Sequence, residues 1–257
     1  MKDIVGSIKG KLSEIEEKED VRVIMAVESG SRAWGFASPD SDYDVRFIYV
    51  RNRSDYLRLV PVRDVIEWQL DDVYDIDGWD LKKALLLLHD SNPTLHEWCN
   101  SPIVYKENEL AEPFRELTKQ FFLPKKAIYH YVSMAEHAFR QYLSGDQVRI
   151  KKYFYGIRPI LAARWVAEKR TAPPMMFEEL MDAQLPEALR PAVQDLLKLK
   201  KETSELGAGS HIPVLDAFIS EQLESLKTIA AQEENRKNDW DALEKFFADA
   251  LERDRKQ

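Results

Sequence analysis

The sequence has few of the features that secreted or membrane proteins depend on. Cys99 is its single cysteine, so an internal disulfide and a cysteine-rich zinc site are both excluded. The longest aliphatic run, residues 84–88, is too short to cross a bilayer, and residues 1–20 lack the apolar centre of a signal peptide. We therefore expect a cytoplasmic protein with no membrane partner.

The sequence also has too few basic residues for a protein that coats nucleic acid. It contains 37 Lys and Arg against 45 Asp and Glu, a net charge of -8. Such proteins neutralise many phosphates with many cations, so this class is excluded. With 257 residues, 44% of them apolar, the chain is long enough for one large or two modest domains with their own cores.

The charge is unevenly spread along the chain. Residues 1–80 contain 18 acids and 11 bases, whereas residues 140–170 contain eight bases and only Asp146 and Glu168 as acids. A basic run of this kind is either the solvated face of a helix or a surface that binds anions.

The first part of the chain combines strand and helix patterns. Apolar, aromatic and β-branched residues predict extended segments at 21–27, 42–50, 65–76 and 103–105. Helical spacing predicts helices at 81–89 and 94–99, with Pro93 suited to the first position of the second.

Beyond residue 110 the strand signals disappear. Apolar residues three and four apart predict helices near 111–122, 126–143, 147–169, 176–183, 187–202, 212–231 and 237–253. The prediction is an α+β protein with a first domain over residues 1–108 and an all-helical domain over 109–257.

The residues that carry chemistry are concentrated between the first two predicted strands. Gly30 and Ser31 follow one strand and offer backbone N–H groups and a hydroxyl to a phosphate chain. Asp42 and Asp44 open the next strand, where residues two apart point to one face. Two carboxylates held this way suit Mg²⁺ or Mn²⁺ together with substrate phosphates. Each fragment alone is a common turn, and their joint occurrence is the more specific signal.

An apolar strand, Gly-Ser, a spacer and Asp-x-Asp together resemble the polymerase-beta nucleotidyltransferase superfamily. The chain is similar in particular to the RNA-repair-pathway polymerase-beta family. That resemblance covers residues 21–175 and rests on 30–36 (GSRAWGF), 78–85 (GWDLKKAL), 91–94 (SNPT), 97–98 (EW), 101–105 (SPIVY) and 151–159 (KKYFYGIRP). It implies a catalytic domain with a mixed sheet and flanking helices, followed by a helical substrate-binding domain.

The superfamily uses a third carboxylate from a neighbouring strand, and this sequence offers two. Asp75 lies between apolar residues, as that carboxylate usually does, and Asp77 would share its face of a strand. We favour Asp75. The alternative for Asp77 or Asp80 is to cap the helix that begins near Leu81.

The resemblance implies in-line displacement at the α-phosphate of a nucleoside triphosphate such as ATP, with release of pyrophosphate. Asp42, Asp44 and Asp75 would hold Mg²⁺ (or Mn²⁺), and Gly30, Ser31 and Arg32 would bind the phosphates. The acceptor hydroxyl is left open between an RNA 3′ end, a protein and a small molecule. The alternative is a non-catalytic regulator that senses a nucleotide or controls a partner, against which the retained Gly-Ser and Asp-x-Asp residues argue.

The basic run gains a role from the same resemblance. On a helix beginning near Gln147, the residues Lys151, Tyr155 and Arg158 would share a face, with Lys152 beside them. Such a face is predicted to bind the triphosphate or the acceptor, and the alternative remains a solvated helix surface.

Overall fold

In the computed structural model, which describes residues 3–145, 147–202 and 208–253, the chain packs as two compact units. Asp146 of the basic run lies outside the described residues. The first unit comprises Met1–Gly30, Asp42–Phe121 and Lys237–Gln257, and the second comprises Ser31–Ser41 and Phe122–Arg236. The units therefore interleave along the chain, unlike the two consecutive domains predicted at 1–108 and 109–257.

The first unit contains both helices and strands. They are α1 (Ile4–Glu19), β1 (Val21–Ser29), α2 (Gly30–Ala33), β2 (Tyr43–Arg51), α3 (Arg53–Tyr56), β3 (Val65–Leu70), β4 (Tyr74–Asp80), α4 (Leu81–His89), α5 (Pro93–Cys99), β5 (Val104–Glu107), α6 (Ala111–Gln120) and, at the end of the chain, α12 (Asp241–Arg253). The short turn α2 continues from Gly30 into the second unit.

The strands of the first unit form a mixed sheet of five strands in the order β3-β4-β2-β1-β5. Strands β2 and β4 are parallel, and the other neighbours are antiparallel. Apolar residues of α1 pack with one face of the sheet, and those of α4, α5, α6 and α12 pack with the other. Because side chains alternate along a strand, β2 contributes Val45, Phe47 and Tyr49 to the first face and Ile48 and Val50 to the second.

Polar side chains cap the N-termini of the two helices that follow β4. The Asp80 carboxylate accepts a hydrogen bond from the Lys82 backbone N–H at 2.8 Å and so caps α4. Asn92 caps α5, and Pro93 occupies its first turn as predicted. Asp80 therefore takes the capping role that the sequence left open between Asp77 and Asp80.

The predicted extended segment 65–76 is a hairpin rather than one strand. Strands β3 and β4 pair in antiparallel fashion across residues 71–73. The Asp71 carboxylate closes the turn, because its Oδ1 accepts the N–H groups of Val73 and Tyr74, both at 2.8 Å.

Helices dominate the second unit, with one short pair of strands. Its elements are α7 (Pro124–Tyr142), β6 (Val148–Arg149), a 3₁₀ turn (Ile150–Lys152), α8 (Tyr153–Lys169), α9 (Phe177–Gln184), a 3₁₀ turn (Glu187–Leu189), α10 (Arg190–Glu202), β7 (Ala208–Gly209) and α11 (Pro213–Gln232). Apolar residues of α7, α8, α9, α10 and α11 share one core with Phe36.

Two predictions for this unit are wrong in detail. Strands β6 and β7 pair with each other, so strand structure does not end at residue 110. The helix predicted from Gln147 begins at Tyr153, because the chain before it is occupied by this pairing and by the 3₁₀ turn.

The described helices include none whose length and apolar character would let it cross a membrane.

Burial of His96 gives the first unit a dependence on pH. His96 lies in α5 with 3% of its surface exposed, and burial lowers its pKa to about 4. Below the ordinary value of 6.5 the unfolded chain binds a proton that the folded chain excludes. The stability that neutral His96 contributes is therefore complete above pH 6.5 and is lost as pH falls toward 4.

We predict that the free energy of unfolding falls by about 2 kcal/mol more in the wild type than in His96→Gln between about pH 7 and 5. Urea denaturation at each pH measures the difference. The quantity to compare is the change of the free energy of unfolding with pH in each protein, because the substitution also alters packing, and so the absolute stability, at every pH. Parallel pH profiles would contradict the prediction.

Candidate active site

The parallel pairing of β2 and β4 brings the predicted acidic residues together. Asp44 pairs with Asp75, and Arg46 pairs with Asp77. These four residues occupy alternate positions of their strands, so they share one face of the sheet. It is the face to which Ile48 of β2 also contributes.

Arg46 lies among these carboxylates. Its Nη2 donates to Asp75 Oδ2 at 2.6 Å, and its Nη1 donates to the Asp75 backbone carbonyl at 2.8 Å. Arg46 Nη2 is 3.7 Å from Asp44 Oδ1, and Arg46 Nε is 3.6 Å from Asp77 Oδ2. The guanidinium therefore positions Asp75 most directly and offsets part of the charge of the other two.

Asp44 is the carboxylate with the most strongly perturbed protonation. Its pKa is raised to about 7, mainly by burial and then by the negative charge of Asp42, with smaller contributions from Glu28 and Asp75 and an opposing effect of Arg46. Burial also raises the pKa of Asp77, with Asp75 adding to the effect. The site therefore carries more negative charge than Arg46 offsets.

Glu28 supports Asp44 from the neighbouring strand. It is fully buried, and its Oε1 accepts the Asp44 backbone N–H at 2.9 Å. Its Oε2 accepts a hydrogen bond from the Tyr105 hydroxyl. Glu28 thus fixes the backbone at the start of β2 while adding to the negative charge.

Gly30 packs directly against Asp44. Its φ is +68°, and a Cβ at this position would lie 2.1 Å from Asp44 Oδ2. Glycine is required both by the left-handed backbone and by the approach of the carboxylate. The motif's first glycine therefore makes room for its second aspartate.

Ser31 and Arg32 belong to the second unit and are bonded within the segment Ser31–Ser41. The Ser31 hydroxyl donates to Ser41 Oγ at 3.1 Å, and Arg32 Nη2 donates to the Ser41 carbonyl at 2.5 Å. The Ser38 backbone N–H donates to the same Ser41 hydroxyl oxygen at 2.9 Å. These bonds order the segment that joins Gly30 to Asp42.

The predicted basic face is divided in the structure. Lys151 lies in the 3₁₀ turn, with its Nζ 3.7 Å from Asp40 Oδ2. Lys152 Nζ lies 4.3 Å from the centre of the Tyr155 ring. Arg158 is only 1% exposed and stacks on Trp34 at 4.5 Å, so it is part of the interior. Neither a shared solvated face nor a single helical binding face describes all four predicted residues.

Three residues with evident roles were not predicted. Glu28 is an acid that directly follows the apolar run 23–27, and Arg46 follows Asp44 by two positions, so the sequence contains a signal for each. Lys200 lies in α10 and is 5% exposed, but its sequence neighbours on the predicted helix do not distinguish it.

The carboxylates fit a hard cation held by few protein ligands. In the part of the chain that the structure describes, no three His, Cys, Asp or Glu side chains form a group that could hold a metal. Asp75, predicted as a third ligand, bonds Arg46 instead. Asp42 and Asp44 remain, and Mg²⁺ is commonly held by one or two carboxylates with water and phosphate oxygens. The excess negative charge at Asp44 agrees with such an ion.

Comparisons with known proteins give one family. The model of the RNA repair pathway DNA polymerase beta family matches residues 4–249. The uncharacterised protein YcgL of Bacillus subtilis (strain 168) is 44% identical over 231 residues, which is 89% of each chain. A crystal structure of a nucleotidyltransferase-like protein from Exiguobacterium sibiricum 255-15 matches 99% of this chain and 81% of its own, at 14% identity and a TM-score of 0.30.

The contact between Gly30 and Asp44 yields a prediction about stability. Gly30→Ala should lower the free energy of unfolding by about 2 kcal/mol, because the added Cβ displaces the Asp44 carboxylate and the left-handed backbone is strained. Chemical denaturation measures this change.

Gly10→Ala is the matched control. Gly10 lies within α1, and a Cβ there has no atom within 4 Å. This variant should be as stable as the wild type or more stable by roughly 0.5–1 kcal/mol. Equal effects of the two substitutions would contradict a specific role for Gly30.

Proposed function

Because the chain belongs to the RNA repair pathway DNA polymerase beta family, we propose that it is a metal-dependent nucleotidyltransferase. It would transfer a nucleoside monophosphate from a nucleoside triphosphate to an acceptor hydroxyl and release pyrophosphate. The observation that carries the proposal is the acidic site in which Asp44 packs against Gly30 and pairs across the sheet with Asp75.

Each carboxylate has a distinct role in this reaction. Asp42 and Asp44 would hold Mg²⁺ or Mn²⁺, which when bound supplies positive charge to the phosphates and to the developing negative charge. Asp75 would accept the proton of the attacking hydroxyl, and Arg46 keeps its carboxylate oriented through the bond to Oδ2. Asp77 is the remaining candidate for this proton transfer.

The nucleotide would be bound by residues of the motif and of the basic run. Gly30 would offer its backbone N–H to a phosphate, and Ser31 and Arg32 follow it on α2. Lys151, Lys152 and Tyr155 supply positive charge and an aromatic ring in the second unit. Arg158 supports them from the interior, since it stacks on Trp34 and donates to the Met175 carbonyl at 3.4 Å.

The family's description supports an RNA end as the acceptor, so the 3′ hydroxyl of RNA is the acceptor that we propose first, with ATP as a nucleotide to test first. A protein hydroxyl or a small molecule is the other choice.

A second candidate function is a nucleotide-binding regulator that performs no transfer. It is favoured by the position of Arg46, which places a protein cation among carboxylates that a catalytic ion would otherwise share. This candidate predicts nucleotide binding without release of pyrophosphate.

The two functions differ in a direct assay. With Mg²⁺ or Mn²⁺, each labelled nucleoside triphosphate and a panel of RNA ends, proteins and small hydroxyl compounds, the wild type should form a labelled product. Asp42→Asn/Asp44→Asn should be slower by roughly 10²-fold or more, because the ion loses both carboxylates. If both proteins are inert while both bind nucleotide, the regulator is the correct function.

The third carboxylate can be assigned by parallel substitutions. Asp75→Asn should reduce transfer by roughly 10²-fold or more with little change in melting temperature, while Asp77→Asn should retain most activity. Asp72→Asn is the control, since Asp72 is exposed in the turn before β4. Loss of activity in Asp77→Asn alone would give the role to Asp77.

A further inference from the structure

Lys200 of α10 is a buried lysine. It is only 5% exposed, and its Nζ lies 4.4 Å from the centre of the Phe36 ring and 5.5 Å from that of Phe154. Within the described residues, no carboxylate or hydrogen-bond acceptor contacts this ammonium group. Lysine is rarely this buried unless it is paired.

Further lysines of the second unit add positive charge at the same place. The pKa of Lys200 is lowered to about 8, mainly by burial and then by the charges of Lys151 and Lys152, while Asp40 opposes them. Burial and then Arg149 also lower the pKa of Lys152. The charges of Lys151 and Lys152 therefore act on Lys200, and Asp40, whose Oδ2 lies 3.7 Å from Lys151 Nζ, is an acid that opposes them.

A purely structural role explains this arrangement poorly. A lysine can bury its methylene groups while its ammonium reaches water. Here, however, cations come from separate elements, with Lys151 and Lys152 in the 3₁₀ turn and Lys200 in α10. Burying like charges together costs free energy, and an anion between them recovers that cost.

The shape of the cluster indicates the kind of anion. The phosphodiester backbone of a nucleic acid is recognised by cations spread along a groove or stripe. Here the Lys200 ammonium lies over Phe36 and Phe154, the Lys152 ammonium lies over Tyr155, and the charges of Lys151 and Lys152 both act on Lys200. Aromatic surfaces exclude water, which strengthens the attraction between a phosphate and the ammonium groups. A compact, multiply charged group fits this region better than an extended chain.

We propose that Lys200, with Lys151 and Lys152, binds a terminal phosphate or pyrophosphate group. The group is either the end of a nucleoside triphosphate or the phosphorylated end of an RNA. Its use in nucleotidyl transfer rests on the proposed function, whereas binding of the anion by the second unit does not.

Calorimetric titration with inorganic pyrophosphate in EDTA tests the site without metal. Lys200→Met, which keeps the apolar stem, should bind pyrophosphate roughly 10-fold more weakly or worse than the wild type. Its melting temperature should be unchanged or raised, because a buried charge is removed. Lys198→Met is the matched control, an exposed lysine of the same helix, and should bind as the wild type does.

Two pairs of ligands identify the source of the phosphate. Tighter binding of ATP than of adenosine, lost in Lys200→Met, assigns the site to the nucleotide. Tighter binding of a 5′-phosphorylated RNA oligonucleotide than of its unphosphorylated form, lost in the same variant, assigns it to an RNA end. Either result supports the proposal, and equal binding of pyrophosphate by wild type and Lys200→Met, or no binding by either, overturns it.

The Asp42→Asn/Asp44→Asn protein separates this inference from the proposed function. It should bind pyrophosphate in EDTA as the wild type does, because the lysines are intact. Absence of nucleotidyl transfer in the wild type together with Lys200-dependent pyrophosphate binding would reject the transferase and retain the anion site.

Discussion

The first unit is built around the repulsion of acids on one face of its sheet. Asp44, Asp75 and Asp77 are brought together by the parallel pairing of β2 and β4, and Glu28 is buried beside Asp44. Arg46 reaches three of them with one positive charge. A sheet selected for stability alone would place apolar residues here, as it does further along β2 at Ile48 and Val50. The proposed cation would offset this repulsion.

Local sequence could predict this site because the chain forms it from neighbouring strands. Strands β1 and β2 pair directly, and the residues between them begin at Gly30 and end at Asp42. Gly30 and Asp44 therefore meet although they are distant along the motif. The capping of α4 by Asp80 and the start of α5 at Pro93 also depend on residues close in sequence, so they too could be predicted from it.

The features that escaped prediction depend on partners distant in sequence. An amphipathic pattern predicts that α12 has an apolar face but not that Leu243 and Ala250 cover α4 and α6 in the first unit. The prediction that a basic helix begins near Gln147 was wrong because residues 148–149 pair with residues 208–209. Charge in a sequence does not reveal burial, so the sequence did not indicate that Arg158 and Lys200 are interior residues. The α+β class was predictable because it depends only on periodicity.

The causes of the shifted pKa values separate binding groups from structural ones. His96 has a pKa of about 4 through burial alone, which is what a packed side chain shows. For Asp44 and Lys200, like charges add to burial, and both shifts favour the neutral form. Like charges gathered at low exposure are costly unless a ligand of opposite charge joins them. A cation at the carboxylates of the first unit and a phosphate at the lysines of the second would each restore the charged state. Each cluster is therefore one in which a ligand of opposite charge would lower the cost of gathering like charges.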